Sequence, residues 1–420
     1  MELRLISLLG LVVFIALAWG LSERRRLFPW RTVLWGVGLQ FVFALLILKT
    51  SGGAAVFDFA GRGINKLIQF SNDGCRFVFG PLADPPLLAD KLGPQNSFIF
   101  AILVAGTIIL VSALSALCYH WGILQRVVQG FAWVMRKAMR TSGSETLAAA
   151  ANIFMGQTEA PLLIKPYVAR MTRSELLCLM TGGMATIAGG VAAVYAKMGF
   201  DAGHPDIAGH LLTASVLSAP AALLISKIML PETEKSETAA SAPAAVPRTT
   251  VNGIDALCRG AGEGMALAIN VMAMLIAFVA VVALANYLLT FSQTQFGVTT
   301  PVTLQTIFGW VNAPFAWLMG VPAKDCLTIG GILGERIVLN EFIGYLSLTS
   351  PRTVVDERSF TLATYALCGF ANFASIAIQV GGIGSLAPER RGDLARLGLR
   401  AMIGGLLASY MTATMAGLLL

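Results

Sequence analysis

Few residues of this chain could do chemistry, and those few sit in apolar surroundings. Gln157, Thr158 and Glu159 stand side by side in "NIFMGQTEAP", between "ETLAAAA" and "LLIKPY". Asn340 and Glu341 fall in "GERIVLNEFIGY", Asn372 and Ser375 in "CGFANFASIAIQVGG", and Thr186 in "TGGMATIAGGV". Glycine-flanked polar residues in a membrane helix suggest unwound backbone whose carbonyls can bind a cation. Hydrolytic or redox chemistry finds no support. His120, His204 and His210 have no metal-ligand spacing, and Cys75, Cys118, Cys178, Cys258, Cys326 and Cys368 form no CxxC pair. No acid–base cluster falls in a cytoplasmic loop, so the chain does not read as an enzyme.

The elements that position these residues must lie in a bilayer. Of the 420 residues 56% are hydrophobic and 13% charged, about half the charged share of a soluble domain. No strand-period alternation suggests an outer-membrane barrel. Eight segments are apolar and long enough to span, at roughly 3–21, 32–49, 97–119, 174–198, 206–229, 264–291, 360–382 and 396–418. The first reads as a retained helix, since it lacks the basic flank and cleavage site of a signal peptide. Arg24, Arg25, Arg26 and Arg31 place the first loop inside and the N-terminus outside. The net charge of +7 therefore reads as a topology signal, with no nucleic-acid partner implied.

Two further apolar segments, 144–167 and 324–349, would break this topology if they crossed. A crossing at 144–167 would put Arg136, Lys137 and Arg140 on the opposite face from Lys165, Arg170 and Arg173. Both are expected to be re-entrant hairpins. In the first, Gly156 ends one half-helix in a left-handed conformation, and a second begins near Thr158 with Pro161 in its first turn. Half-helices of about ten residues reach ~15 Å, the middle of a ~30 Å hydrocarbon core. In the second, Gly334 permits the turn, Asn340 caps the returning helix and Glu341 lands near mid-depth. Arg336 is expected to neutralise Glu335 or Glu341. A buried acid at the bilayer centre costs at least ~2.5–3.5 kcal/mol, and one per hairpin suggests a shared polar site. Taken singly, Thr186 and Ser375 would fit ordinary helix packing, and Phe370 the core.

The order of elements recurs. Residues 97–229 run span, amphipathic stretch, hairpin and two spans, and 264–420 repeat that order. Each copy has three crossings, so the second must be inverted, a mark of secondary transporters. Residues 1–96 supply two spans and a mixed segment, 53–92, expected as short amphipathic pieces at the outer interface. Residues 230–263 are expected to be a cytoplasmic linker, flexible over the Pro-, Ala-, Ser- and Thr-rich stretch 231–253.

From about residue 97 onward, "GQTEAPLLIKPY", "NEF" within "GERIVLNEFIGY" and "GFANFASIA" occur in the order of the concentrative nucleoside transporters, and the chain resembles that family, in its bacterial, sodium-coupled form. The resemblance implies an all-α polytopic protein of eight transmembrane helices plus two re-entrant hairpins, working as an elevator. It implies a homotrimer in a bacterial inner membrane, with residues 1–96 in a static scaffold and a nucleoside imported with sodium. It carries Gln157, Thr158 and Glu159 to nucleobase contacts, Glu341, Asn372 and Ser375 to the ribose, and Val191 and Phe370 to apolar contacts. It carries the sodium site to Asn152, the carbonyl of Met155, Thr186 and the carbonyl of Ile187. Thr186 stands where the best-matched sodium pattern has serine, Arg336 where lysine is common, and "IG" follows "NEF" where "VA" is usual. No cofactor is expected besides sodium as the coupling ion. The alternatives are a proton-coupled nucleoside symporter and an elevator symporter for another small polar solute.

Overall fold

A computed structural model describes residues 2–92, 99–238 and 250–420. Among the described residues all regular structure is helical. Helices α1 (Glu2–Gly20) and α2 (Trp30–Lys49) are followed by α3 (Ser51–Phe79), the short α4 (Pro85–Leu92), α5 (Phe100–His120) and α6 (Ile123–Met139). The first hairpin is α7 (Gly143–Ala151) returning through α8 (Ala160–Leu163) and α9 (Lys165–Val168). The next span is broken into α10 (Arg173–Ala185) and α11 (Gly189–Asp201), and α12 (Ile207–Met229) closes the first repeat. The second repeat runs α13 (Gly253–Gln295), α14 (Leu304–Leu318), a hairpin of α15 (Cys326–Val338) and α16 (Glu341–Leu348), a broken span of α17 (Glu357–Leu367) and α18 (Phe373–Leu386), and α19 (Arg391–Leu419).

Among the described residues six helical stretches are long and apolar enough to cross a membrane, including α10–α11 taken together. The expected span 360–382 is not one of them, because its break leaves pieces of 11 and 14 residues. The expected span 264–291 lies within the 43-residue α13. Residues 97 and 98 of the expected third span lie outside the described residues, as do 239–249 of the linker.

Several expectations change. Residues 53–79 are not short pieces but most of one 29-residue helix. Thr50 caps it by accepting the Gly53 N–H at 3.0 Å. Its packing on α2, α5 and α12 overrides the poor helix propensity of its glycines. The linker ends earlier than expected, because Asn252 caps α13 by accepting the Asp255 N–H at 2.9 Å. Its first part is not free either. Residues 231–238 fold back on the base of the first hairpin, where the Thr238 carbonyl accepts the Gly143 N–H at 2.8 Å and Ser236 donates to Glu175 at 2.5 Å. Gly334 makes no turn. It lies inside α15, where a Cβ would come within 2.0 Å of Phe308 on α14, so it is there for close helix approach. Gly156 is not left-handed; a Cβ there would lie 3.3 Å from that of Ala188.

The interior is built from α10, α12 and α19, buried nearly all round. The N-terminal α1 lies along α19, with Phe14 against Tyr410 at 5.9 Å, and α2 lies along α12, with Gln40 donating to the Leu217 carbonyl at 3.1 Å. By contrast, α13 packs chiefly on α5, its Gly260 and Gly264 sitting against the α5 backbone where any Cβ would collide.

The base of the first hairpin is pinned electrostatically. Glu145 accepts the Ser142 N–H at 2.7 Å and forms an ion pair with Lys227 of α12 at 2.7 Å, with side chains 1% and 7% exposed. Removing one partner of such a pair costs about 3–5 kcal/mol, because the other charge stays buried alone. Lys227→Ala is therefore expected to lower the thermal stability of the purified protein by that order, and adding Glu145→Gln should recover part of it. A Lys227→Ala melt within about 0.5 kcal/mol of the parent, as for a surface change, would contradict this pinning.

Candidate functional site

The four breaks in the helices meet in one place. The tip of the first hairpin, residues 152–159, is tied to the break in the first interrupted span by the Gly189 N–H donating to the Phe154 carbonyl at 3.2 Å. The second hairpin turns at Leu339 and Asn340, and Asn340 caps α16 by accepting the Ile343 N–H at 3.0 Å. Glu341 is thus the first residue of α16, where the helix dipole favours a carboxylate. Asn372 caps α18 in the same way, accepting the Ser375 N–H at 2.9 Å.

One chain of side-chain hydrogen bonds crosses both repeats. Tyr195 of α11 donates to Glu341 Oε1 at 2.9 Å, and Asn372 Nδ2 donates to Glu341 Oε2 at 3.1 Å. Asn372 holds the Ser375 backbone, and the Ser375 hydroxyl accepts from Gln157 Nε2 at 3.2 Å. The Gln157 oxygen accepts from Gln379 Nε2 at 3.0 Å, which also donates to the Met180 carbonyl at 3.1 Å. All six side chains are buried. Capacity remains: a carboxylate has about four acceptor positions, and Glu341 uses two on side chains.

The expected residues divide as follows. Gln157, Glu341, Asn372 and Ser375 are joined directly. Thr158 lies beside α18, its methyl 3.4 Å from where a Gly382 Cβ would be. Glu159 stays exposed, its carboxylate accepting the Gly156 N–H at 3.3 Å. Val191 sits in the first turn of α11 and Phe370 in the break between α17 and α18, half-buried. Arg336 makes no direct ion pair with Glu335 or Glu341, although its charge acts on Glu341 through space. Fully buried, it donates to the Ala366 carbonyl and to the Ser409 hydroxyl, tying the second hairpin to α17 and α19.

The sequence reading missed Tyr195 and Gln379. Tyr195 lies four residues after Val191 and therefore on the same helix face. Gln379 is a lone amide in the apolar run "SIAIQVGG", four residues after Ser375.

The residues at the first break can hold a small cation. Asn152 closes α7, is 1% exposed, and has no partner for either amide atom. It lies against Gly182, where a Cβ would be 3.2 Å from its Nδ2. Thr186 donates its hydroxyl hydrogen to the Gly182 carbonyl at 2.9 Å, leaving its lone pairs free. Neither the Met155 nor the Ile187 carbonyl accepts a backbone hydrogen bond from a described residue. A buried polar group without a partner costs about 1–3 kcal/mol, so the unpartnered Asn152 amide and the Thr186 hydroxyl, both beside Gly182, could help hold an oxygen-seeking cation.

The comparisons with known proteins follow this geometry. Family profiles described as Na+ dependent nucleoside transporter N-terminus, Nucleoside recognition and Na+ dependent nucleoside transporter C-terminus match residues 9–82, 101–200 and 210–417. Over 418 residues the chain is 43% identical to an uncharacterized transporter of Haemophilus influenzae, covering 98% of this chain and 97% of that one. Its fold matches CNTnw in an inward-facing substrate-bound state with a TM-score of 0.91 and 38% identity, covering 99% of this chain and 97% of that one. The chain belongs to the sodium-dependent, concentrative nucleoside transporters. It is also 38% identical to sodium/nucleoside cotransporter 2 of Rattus norvegicus, covering 99% of this chain but 63% of that longer protein. Variants of CNTnw in an outward-facing state match equally well. This concentrative nucleoside transporter family member has the elevator-type fold and is a multi-pass inner-membrane protein, not an enzyme.

The hydrogen-bond chain has a measurable signature. Tyr195→Phe and Glu341→Gln should be coupled by about 0.5–3 kcal/mol in a double-mutant cycle read by chemical or thermal unfolding. Simple additivity of the two changes would mean that the 2.9 Å contact does not hold the carboxylate.

Proposed function

We propose that the chain is a sodium-coupled symporter that imports nucleosides by an elevator mechanism. The observation that carries this reading is Glu341, buried at a helix start with two donors already in place and acceptor positions to spare. The vicinal hydroxyls of a ribose would occupy those positions, with Asn372 and Ser375 as further partners. Gln157, Thr158 and Glu159 would face the nucleobase, with Val191 and Phe370 as apolar contacts. Because Gln379 fixes the Gln157 oxygen, the Gln157 amide presents its N–H side toward Ser375 and the ligand.

Sodium is favoured over the proton because Asn152, Thr186 and the Met155 and Ile187 carbonyls offer no titratable group. An ion there would join the tip of the first hairpin to the first interrupted span and organise Gln157 next to it. The mobile unit of the elevator would carry both hairpins and both interrupted spans, moving past a static part centred on α5 and α13 in a homotrimer.

Uptake of labelled nucleoside into proteoliposomes tests the reading. A sodium gradient is expected to drive accumulation, and Glu341→Gln to reduce it by about ten- to a hundredfold, the loss of one or two charge-assisted hydrogen bonds. Analogues lacking a ribose hydroxyl should compete poorly, since a site built on hydrogen bonds rejects ligands that leave it unpaired. Full activity of Glu341→Gln, or uptake indifferent to sodium, would refute the proposal.

A further inference from the structure

A second polar cavity, of about 460 Å³, lies between α14 and the second hairpin, away from the chain of hydrogen bonds through Glu341. Its polar lining comes from Gln305 and Thr306 of α14, Thr328 and Glu335 of α15, and Ser347 and Ser350 at the end of α16 and just beyond it.

Glu335 is the anomaly within it. The residue is only 9% exposed; Ser347 and Gln305 lie within hydrogen-bonding reach of its carboxyl group, and its Oε2 is left without a donor. The neighbouring Arg336 is committed elsewhere, to the Ala366 carbonyl and Ser409. Glu335 also occupies the last turn of α15, the negative end of the helix dipole, where a carboxylate is disfavoured. A buried acid opposed by its own helix and lacking a counter-charge is costly. It is not explained by the nucleoside site, which uses the opposite end of the hairpin turn.

We propose that this cavity is a second cation site, in which Glu335 supplies the charge and the Ser347 hydroxyl a neutral oxygen to a monovalent alkali cation, beside Gln305, whose amide oxygen also accepts from Asn286 at 3.1 Å. A single carboxylate with amide and hydroxyl oxygens suits one positive charge, whereas dedicated divalent sites gather more carboxylates. The three residues come from α14 and both arms of the hairpin. An ion there ties the arms together and to α14, so its binding favours a closed hairpin and is separate from the Asn152 site.

Sodium alone is the probe, so the test does not depend on nucleoside transport. Equilibrium binding of labelled sodium to the full-length purified protein, with choline holding ionic strength, is expected to show two phases. Asn152→Ala should abolish one. Glu335→Gln should abolish the other or raise its half-saturating concentration about tenfold or more, with melting in choline showing that the variant is folded. Ser347→Ala provides a milder second variant, expected to weaken the same phase only. A Glu335→Gln or Ser347→Ala isotherm superimposable on the parent would overturn the proposal. So would a site at Glu335 that responds to pH alone and to neither sodium nor potassium.

Discussion

The structure depends on housing one carboxyl group inside a membrane protein. No cation contacts Glu341 directly among the described residues, although the Arg336 charge acts on it through space. Glu341 is held instead by the Tyr195 hydroxyl, the Asn372 amide and the start of α16. Each of these comes from a different element, and each requires a break or a cap to be in place. Lipid-exposed irregular backbone is not tolerated at membrane depth, so the breaks at 186–188 and 368–372 and the two hairpin turns are confined to where they face one another. The binding site is a consequence of this: four interruptions share one enclosure, and the polar groups they bring satisfy each other until a ligand arrives.

The same constraint explains how an ion and a solute can be coupled without touching. Asn152 and Gln157 lie five residues apart on one hairpin tip, and Thr186 and Tyr195 lie on either side of one helix break. An ion drawn to the unpartnered amide of Asn152 would fix the hairpin tip against α10 and α11. Gln157 would then stand in register with Ser375 and Gln379 across the repeat boundary. Buried networks of this kind are costly when half satisfied, so filling one end favours filling the other.

Much of this was legible in the sequence because caps and breaks are local. Asn340 announces a helix start ahead of an apolar run, and the charges around 144–167 argue against a crossing. The two hairpins and the two interrupted spans therefore appeared where expected. What failed was whatever depended on a distant partner. Gly334 looks like a turn residue, but its role is set by Phe308 on a neighbouring helix. Arg336 looks like a contact partner for an acid, but it acts on Glu341 only through space, because its position buries it against the Ala366 carbonyl and Ser409. Gln379 stands out only as a lone amide in an apolar run, because its importance lies in reaching Gln157 across 222 positions of sequence. The glycine-rich stretch after residue 50 reads as broken pieces until α2, α5 and α12 are present to hold it straight.

The central claim is that cation and nucleoside bind to one hairpin tip and so report on each other. The most direct test is nucleoside binding to the purified protein measured across a series of sodium concentrations. Linkage requires any change in nucleoside affinity caused by sodium to be matched by an equal change in sodium affinity caused by nucleoside. The account predicts that nucleoside affinity rises with sodium in the parent protein and is flat in Asn152→Ala. Equal sodium dependence in both proteins, or none in the parent, would contradict it.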